Sequence, residues 1–259
     1  MLARSDIIDA LVKTLAHVDY VQAFWEGGAA AWNRVDKWSD IDAYLLVDDG
    51  KVSETFKIVE TVLTTLSPIK QKYLVTRSPW PGVSQAFYSL ELASEYLVLD
   101  LAILTSSSST KFLEPAIHGK SIFYVNKLGI DQEPTVDLKA FQKKSEEDMD
   151  ALKQRFQMFS NFVEKEIKRE NSLEALEYYR TIIVPSLVQA LRAKHTPMHY
   201  DFRMRYIQYE LPVEIVKKLE NLCFVSGLRD LETKNSEAIR WFNELTGKLS
   251  VQRKISGSE

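Results

Sequence analysis

The fold of the first half of the chain is decided by residues 38–47, WSDIDAYLLV. Apolar residues recur at every second position from Ile41, which is the pattern of a β-strand with one face against a core. Asp40 and Asp42 would then project from the opposite face, about 6.6 Å apart along the strand. Two neighbouring carboxylates repel each other unless a cation lies between them, and Mg²⁺ prefers carboxylate and phosphate oxygens. The stretch therefore predicts a strand that carries either a metal-binding pair or a charged start exposed to water.

A glycine pair lies upstream of this strand. Gly27 and Gly28 separate the strand candidate Val21–Trp25 from three alanines at 29–31, which favour a helix. A glycine turn at a helix start lets backbone amides approach a phosphate, and the helix dipole favours the anion. The pair is therefore either a phosphate contact or an ordinary turn.

A third acid lies within an apolar run. Asp100 interrupts Tyr96–Leu104, a run that is typical of a strand buried on both faces. An unpaired ionised carboxylate is costly in such a place. Its partner would be a metal shared with Asp40 and Asp42, a buried arginine, or backbone amides.

The two halves of the chain have different patterns. The first half predicts helices at residues 5–18 and 53–66, and strands at Val21–Trp25, Ile41–Val47, Ile69–Thr76, Val83–Leu90, Tyr96–Leu104 and Ser121–Val125. The second half predicts helices only, at residues 138–167, 172–194 with a kink at Pro185, 212–225 and 228–249. We therefore expect an α+β protein with a mixed β-sheet domain at residues 1–130, followed by an all-α helical bundle at residues 131–259.

Composition narrows the class of protein. Of 259 residues, 45% are apolar and 27% are charged, as in ordinary globular domains. The net charge of −3 argues against a protein that grips long nucleic acid. The lone cysteine, Cys223, excludes an intramolecular disulfide and a cysteine-based zinc site. No signal peptide or membrane-spanning run is recognisable, so we expect a cytoplasmic protein with no membrane partner.

In combination, these features resemble the nucleotidyltransferase superfamily, which includes DNA polymerase beta, the aminoglycoside nucleotidyltransferases and uncharacterised bacterial members. The family pattern is a glycine pair after a strand, a spacer, an acid-x-acid motif between apolar residues, and a third acid on a later strand. The residues that match it position by position, within residues 5–125, are Gly27-Gly28, Ser39-Asp40-Ile41-Asp42 and Asp100.

The resemblance implies Mg²⁺-dependent transfer of a nucleoside monophosphate to a hydroxyl group, with release of pyrophosphate. ATP is the expected donor, with another nucleoside triphosphate as the alternative, and a small molecule is the expected acceptor. Asp40, Asp42 and Asp100 would be the catalytic residues and would bind two Mg²⁺ ions, with Asp100 also acting as base. The nucleotide contacts would come from Gly27, Gly28, Ser39, Arg34 and Lys37.

Three departures from the family pattern leave alternatives open. Gly28 stands where many members have serine, the alanines 29–31 stand where many have an arginine, and Glu26 replaces an apolar residue. Arg34 or Lys37 would then supply the missing cation. The alternatives are a nucleotide-binding regulatory or catalytically degenerate module, a transferase that acts on tRNA or a protein, and a metal-free structural protein. The sequence leaves the acceptor, the nucleobase and the oligomeric state open.

The helical half carries a basic cluster, formed by Arg192, Lys194, His195, Arg203 and Arg205. Such a cluster is compatible with a lid that contacts a triphosphate or an anionic acceptor. A solvated helix end is the favoured interpretation, because cations are stabilised near helix C-termini.

Overall fold

The computed structural model describes residues 1–132 and 134–256, and the side chains of these residues as far as Gly247. The chain divides into two compact units, Met1–Val136 and Asp137–Glu259. The predicted boundary after residue 130 lies a few residues before this division.

The first unit contains helices and strands in alternation. Its helices are α1 Arg4–Leu15, α2 Gly28–Ala31, α3 Val52–Leu66 and α4 Pro115–His118. Its strands are β1 Val21–Glu26, β2 Ile41–Val47, β3 Ile69–Leu74, β4 Val83–Leu90, β5 Val98–Thr105 and β6 Ile122–Asn126. The expected α+β class is therefore confirmed.

The strands form one mixed sheet in the order β3-β4-β5-β2-β1-β6. β2 and β5 run parallel, whereas the other neighbouring strands of the described sheet run antiparallel. β6 lies at one edge, beside β1, and β4 and β5 are adjacent antiparallel strands. The predicted mixed sheet is thus present, and its parallel pair lies in the middle.

The sheet separates two apolar cores. α1 and α3 cover one face, where Ile41 and Ala43 of β2 are buried as their alternation predicts. The opposite face has a smaller core around Trp25. Because alternate residues of a strand point to opposite faces, Asp42 and Asp100 lie on the face of the smaller core.

The second unit is helical throughout its described elements. They are α5 Leu138–Phe159, α6 Asn161–Lys168, α7 Ser172–Tyr178, a π-helical turn Tyr179–Ile183, α8 Val184–His195, a 3₁₀ turn Pro197–His199, α9 Ile207–Glu210, α10 Val213–Cys223 and α11 Leu228–Ser256. None of the described helices has both the length and the apolar character needed to cross a bilayer.

Two predicted helices of this unit are each divided. The helix expected over 138–167 is interrupted at Ser160, where α5 ends and α6 begins. The helix expected over 172–194 contains the π-helical turn, which ends two residues before Pro185. Proline has no N–H to donate to the carbonyl four residues earlier, so the regular α-helical ladder cannot run through this position.

The interior of the helical unit is apolar except for a few polar groups, of which Arg192 is the largest. Phe156 of α5 stacks on Phe242 of α11 with ring centroids 3.8 Å apart. Arg192 is fully buried, and its Nη1 donates to Oε2 of Glu210 at 2.7 Å. The interpretation of the basic cluster as a solvated helix end is therefore wrong for Arg192. Its guanidinium group also donates to the backbone carbonyl oxygens of Arg203 and Arg205, in the loop before α9.

Candidate active site

The parallel pairing of β2 with β5 places two carboxylates side by side. In this register Asp42 lies opposite Asp100. Neighbouring strands are about 4.8 Å apart, and both half-buried side chains project from the same face of the sheet. Gln85 of β4 orients one of them, because its Nε2 donates to Oδ1 of Asp100 at 2.7 Å.

The environment of Asp100 raises the pKa of its carboxyl group. Burial, together with the negative charge of Asp40, raises the pKa of Asp100 to about 6, against the opposing effect of the hydrogen bond from Gln85. The carboxylates of Asp40 and Asp100 therefore repel each other, and this is the situation that a bound cation relieves. A carboxyl group with a pKa near neutrality is also suited to accept and release protons.

Arg4 of α1 holds the start of β2 and is a site residue that the sequence patterns do not reveal. Its Nη1 donates to the backbone carbonyl oxygen of Asp40, and its Nη2 forms an ion pair with Glu26. The hydroxyl of Tyr124 donates to Oε2 of Glu26 at 2.7 Å. An arginine at the start of an amphipathic helix has no pattern that pairs it with a strand residue, so the sequence carries no signal for this contact.

Glu26 is buried on the face of the sheet that α1 covers. It is 2% exposed, and its neighbour Trp25 belongs to the smaller core on the opposite face. Strand alternation therefore turns Glu26 away from Asp42. Arg4 neutralises the charge of Glu26. The glutamate that stands here in place of an apolar residue of the family pattern is therefore one partner of an ion pair with Arg4.

The glycine pair packs directly on β2. The N–H of Gly27 donates to the carbonyl oxygen of Asp42 at 2.9 Å, and a Cβ on Gly27 would lie 2.9 Å from Cε2 of Tyr44. Gly28 has φ +52°, and a Cβ there would lie 1.6 Å from Oδ2 of Asp42. The carboxylate therefore occupies the space that a serine side chain would need. The helix after the pair, α2, has only four residues, so the expected helix start is a single turn.

The other predicted nucleotide contacts lie in the loop between α2 and β2. The hydroxyl of Ser39 donates to Oδ1 of Asp36 at 2.9 Å and accepts from the backbone N–H of the same residue. The backbone N–H of residue 38 and the Ser39 hydroxyl hold the pKa of Asp36 below its usual range. The cations of Arg34 and Lys37 lie 5.3 and 4.6 Å from the indole ring centroids of neighbouring tryptophans. Their contact with a nucleotide stays a prediction.

The site offers two adjacent carboxylates as ligands for Mg²⁺, those of Asp42 and Asp100. Within residues 1–132 and 134–256, no group of three or more His, Cys, Asp or Glu side chains is gathered closely enough to hold a metal ion. Mg²⁺ is usually bound by one or two carboxylates, together with waters and substrate phosphates. The adjacent pair Asp42 and Asp100 fits this requirement. The three-carboxylate set that includes Asp40 stays a prediction.

Comparison with known proteins gave one kind of match. No family model matches the sequence, and no match was found among curated proteins. Among solved structures, the chain is similar to an aminoglycoside 6-adenyltransferase from Bacillus subtilis, with 14% identity and a TM-score of 0.37. The similarity covers 96% of this chain and 91% of that chain. At this level it carries no information about substrate or activity.

Proposed function

We propose that the protein transfers AMP from ATP to a hydroxyl group of a small molecule and releases pyrophosphate, in an Mg²⁺-dependent reaction. The observation that carries the proposal is the register of β2 and β5, which sets Asp42 beside Asp100 on one face of the sheet. The proximity of Asp40, whose charge raises the pKa of Asp100, is consistent with a shared cation.

Each residue has a role in this proposal. Asp40, Asp42 and Asp100 would hold the metal, which when bound would neutralise charge on the phosphoryl oxygens. Asp100 would accept the proton of the acceptor hydroxyl as its oxygen bonds to the α-phosphorus of ATP. The bond from that phosphorus to the bridging oxygen would break, and pyrophosphate would leave with the electron pair. In the metal-free protein a pKa of about 6 leaves Asp100 mostly ionised at pH 7, and a bound cation would favour the ionised form further.

The phosphate contacts would come from the glycine turn and the loop that follows α2. Gly27 is buried and its N–H already donates to the carbonyl oxygen of Asp42, so the half-buried Gly28 would supply the backbone contact to phosphate beside the carboxylates. Arg34 and Lys37 supply positive charge in the same segment, and Ser39 supplies a hydroxyl. Cations and backbone amides are the groups that bind phosphates in proteins.

Thermal unfolding with nucleotides tests the donor site. The four nucleoside triphosphates are added with and without Mg²⁺ to wild type, Asp42→Asn and the control Asp19→Asn, which removes an exposed carboxylate. A ligand at a hundredfold excess over its Kd adds about 2.7 kcal/mol to the free energy of unfolding. We expect Mg²⁺-dependent stabilisation by ATP in wild type and Asp19→Asn only. Equal stabilisation of Asp42→Asn, or none in wild type, would contradict the proposal.

A second candidate is a nucleotide-binding module without turnover. It is favoured by the finding that the described acidic side chains form no three-membered metal cluster. The two functions differ in pyrophosphate release, which we would measure with ATP, Mg²⁺ and a panel of hydroxyl-bearing small molecules. Binding of ATP without release of pyrophosphate across the panel would favour the module.

A further inference from the structure

The helical unit contains a cavity of about 830 Å³, which lies within the range of small-molecule sites. All of its lining residues belong to this unit. Its rim carries three arginines from separate segments: Arg155 of α5, Arg180 of the π-helical turn, and Arg203 of the loop before α9. One acid, Asp201, also lines it. The lining therefore has an excess of two positive charges.

These arginines differ from others in the same unit. Arg169 pairs with Glu166, and the buried Arg192 pairs with Glu210. Among the side chains described as far as Gly247, none forms an ion pair or hydrogen bond with the guanidinium groups of Arg155, Arg180 and Arg203. The rim thus presents guanidinium donors that are not used within the described part of the protein. Guanidinium groups bind phosphate through paired hydrogen bonds, which makes arginine suited to such ligands.

The position of Arg203 is enforced by the fold. Its φ is +54°, a conformation that residues other than glycine rarely adopt. Its carbonyl oxygen accepts from Nε of the fully buried Arg192 at 2.6 Å, and the carbonyl oxygen of Arg205 accepts from the same guanidinium group. A strained backbone of this kind is often part of a functional site. The buried arginine therefore fixes the segment from which Arg203 reaches the cavity.

Arg180 also lies in an unusual segment. The π-helical turn Tyr179–Ile183 is a rare helical form that is frequent at functional sites. It is anchored by Tyr179, whose buried hydroxyl donates to the carbonyl oxygen of Leu222 at 2.9 Å. Two of the three rim arginines therefore project from backbone that departs from regular helix, and both segments are tied to the interior.

The part of the lining that α8 contributes is mainly apolar. Val184, Pro185 and Val188 of α8 line the cavity, with Thr181 and Gln189 as hydrogen-bonding groups. A cavity of this volume is much larger than a phosphate ion. We infer that it binds a small phosphorylated organic molecule, with the phosphoryl group on the rim arginines and the organic part against α8. This inference does not depend on the proposed transferase activity.

Calorimetric titration of the full chain tests the inference, with ribose 5-phosphate, ribose and inorganic phosphate as probes. We expect ribose 5-phosphate to bind wild type and the double variant Arg180→Gln/Arg203→Gln to bind it at least tenfold more weakly. Arg155→Gln should weaken binding independently. The control Arg229→Gln, which removes an exposed arginine of α11, should bind as wild type does. Thermal unfolding shows whether each variant remains folded.

Other outcomes overturn the inference. Absence of ribose 5-phosphate binding to wild type, or equal binding to folded wild type and double variant, removes the site. If inorganic phosphate binds as tightly as ribose 5-phosphate, the apolar residues of α8 do not contribute to binding. Loss of ribose 5-phosphate binding in Asp42→Asn would show that the ligand binds to the first unit instead. Unchanged binding to Asp42→Asn would show that this site is separate from the proposed transferase site.

Discussion

The α-carbon of Gly28 packs directly against the carboxylate of Asp42, so that a Cβ at position 28 would lie 1.6 Å from Oδ2. Glycine at this position, where the family pattern often has serine, is therefore the steric complement of the acid. This departure does not by itself indicate a degenerate site. The carboxylate that excludes a side chain at position 28 belongs to Asp42, which is also predicted to bind the metal.

We expect Gly28→Ala to lower stability and to displace Asp42. Gly50→Ala is the matched control, because Gly50 also has a positive φ but a Cβ added there would have no neighbouring atom within 4 Å. Backbone strain alone costs about 1–3 kcal/mol, and the clash adds to this only at position 28. Urea unfolding should therefore show a larger loss for Gly28→Ala. Equal losses in the two variants would contradict the close contact.

Removal of either carboxylate of the adjacent pair should stop transfer without unfolding the protein. We expect Asp42→Asn and Asp100→Asn each to slow pyrophosphate release by about 10²-fold or more, the range found when a catalytic acid or base is lost. Asp19→Asn is the control for the loss of one negative charge. A fully active Asp42→Asn protein would show that the proposed site is elsewhere.

The raised pKa of Asp100 predicts a specific pH dependence of stability in buffer without divalent ions. The pKa is about 6 in the folded protein and near 3.8 in the unfolded chain. Between these values the folded state retains a proton that the unfolded state has released, so this group lowers stability as pH rises from about 4 to 6. Asp100→Asn removes this contribution. The melting temperature of the variant, relative to that of wild type, should therefore rise across that window, and parallel curves would contradict the shift.

The ion pair of Arg4 with Glu26 should be important for the stability of the first unit. Removing one partner of a buried pair leaves the other charge uncompensated and costs about 3–5 kcal/mol. We expect Arg4→Met, which leaves the buried Glu26 unpaired, to be this unfavourable, and Arg4→Met/Glu26→Leu to recover part of the loss. Denaturant unfolding of the two single variants and the double variant measures this coupling. Additive losses would indicate that the two side chains act independently.

Local patterns predict the strands well but not their neighbours in the sheet. Alternation indicates β2 at Ile41–Val47, and these are its bounds. The continuous apolar run indicates β5, although the strand begins at Val98 rather than Tyr96. Neither pattern specifies that β2 and β5 pair in parallel, because side-chain alternation records only which faces are buried. That pairing requires the tertiary structure.

The acids and glycines of the site can be selected from the sequence, but their supporting residues cannot. Asp42, Asp100 and Gly28 belong to a recognisable combination, and the structure brings them together. Arg4 and Gln85 come from distant segments and have no local signature. The position of Arg192 near a predicted helix C-terminus favours a solvated helix end, whereas backbone and side-chain acceptors bind its guanidinium group in the interior.

The β2–β5 pair also bears on how the first unit folds. α3, β3 and β4 lie between the two strands in the chain, so this pairing closes a long loop before its contacts can form. Contacts of such sequence separation carry a large entropic barrier and slow folding. The two carboxylates consequently meet only when the centre of the sheet has closed, and a nascent chain that ends before β5 contains only half of the pair.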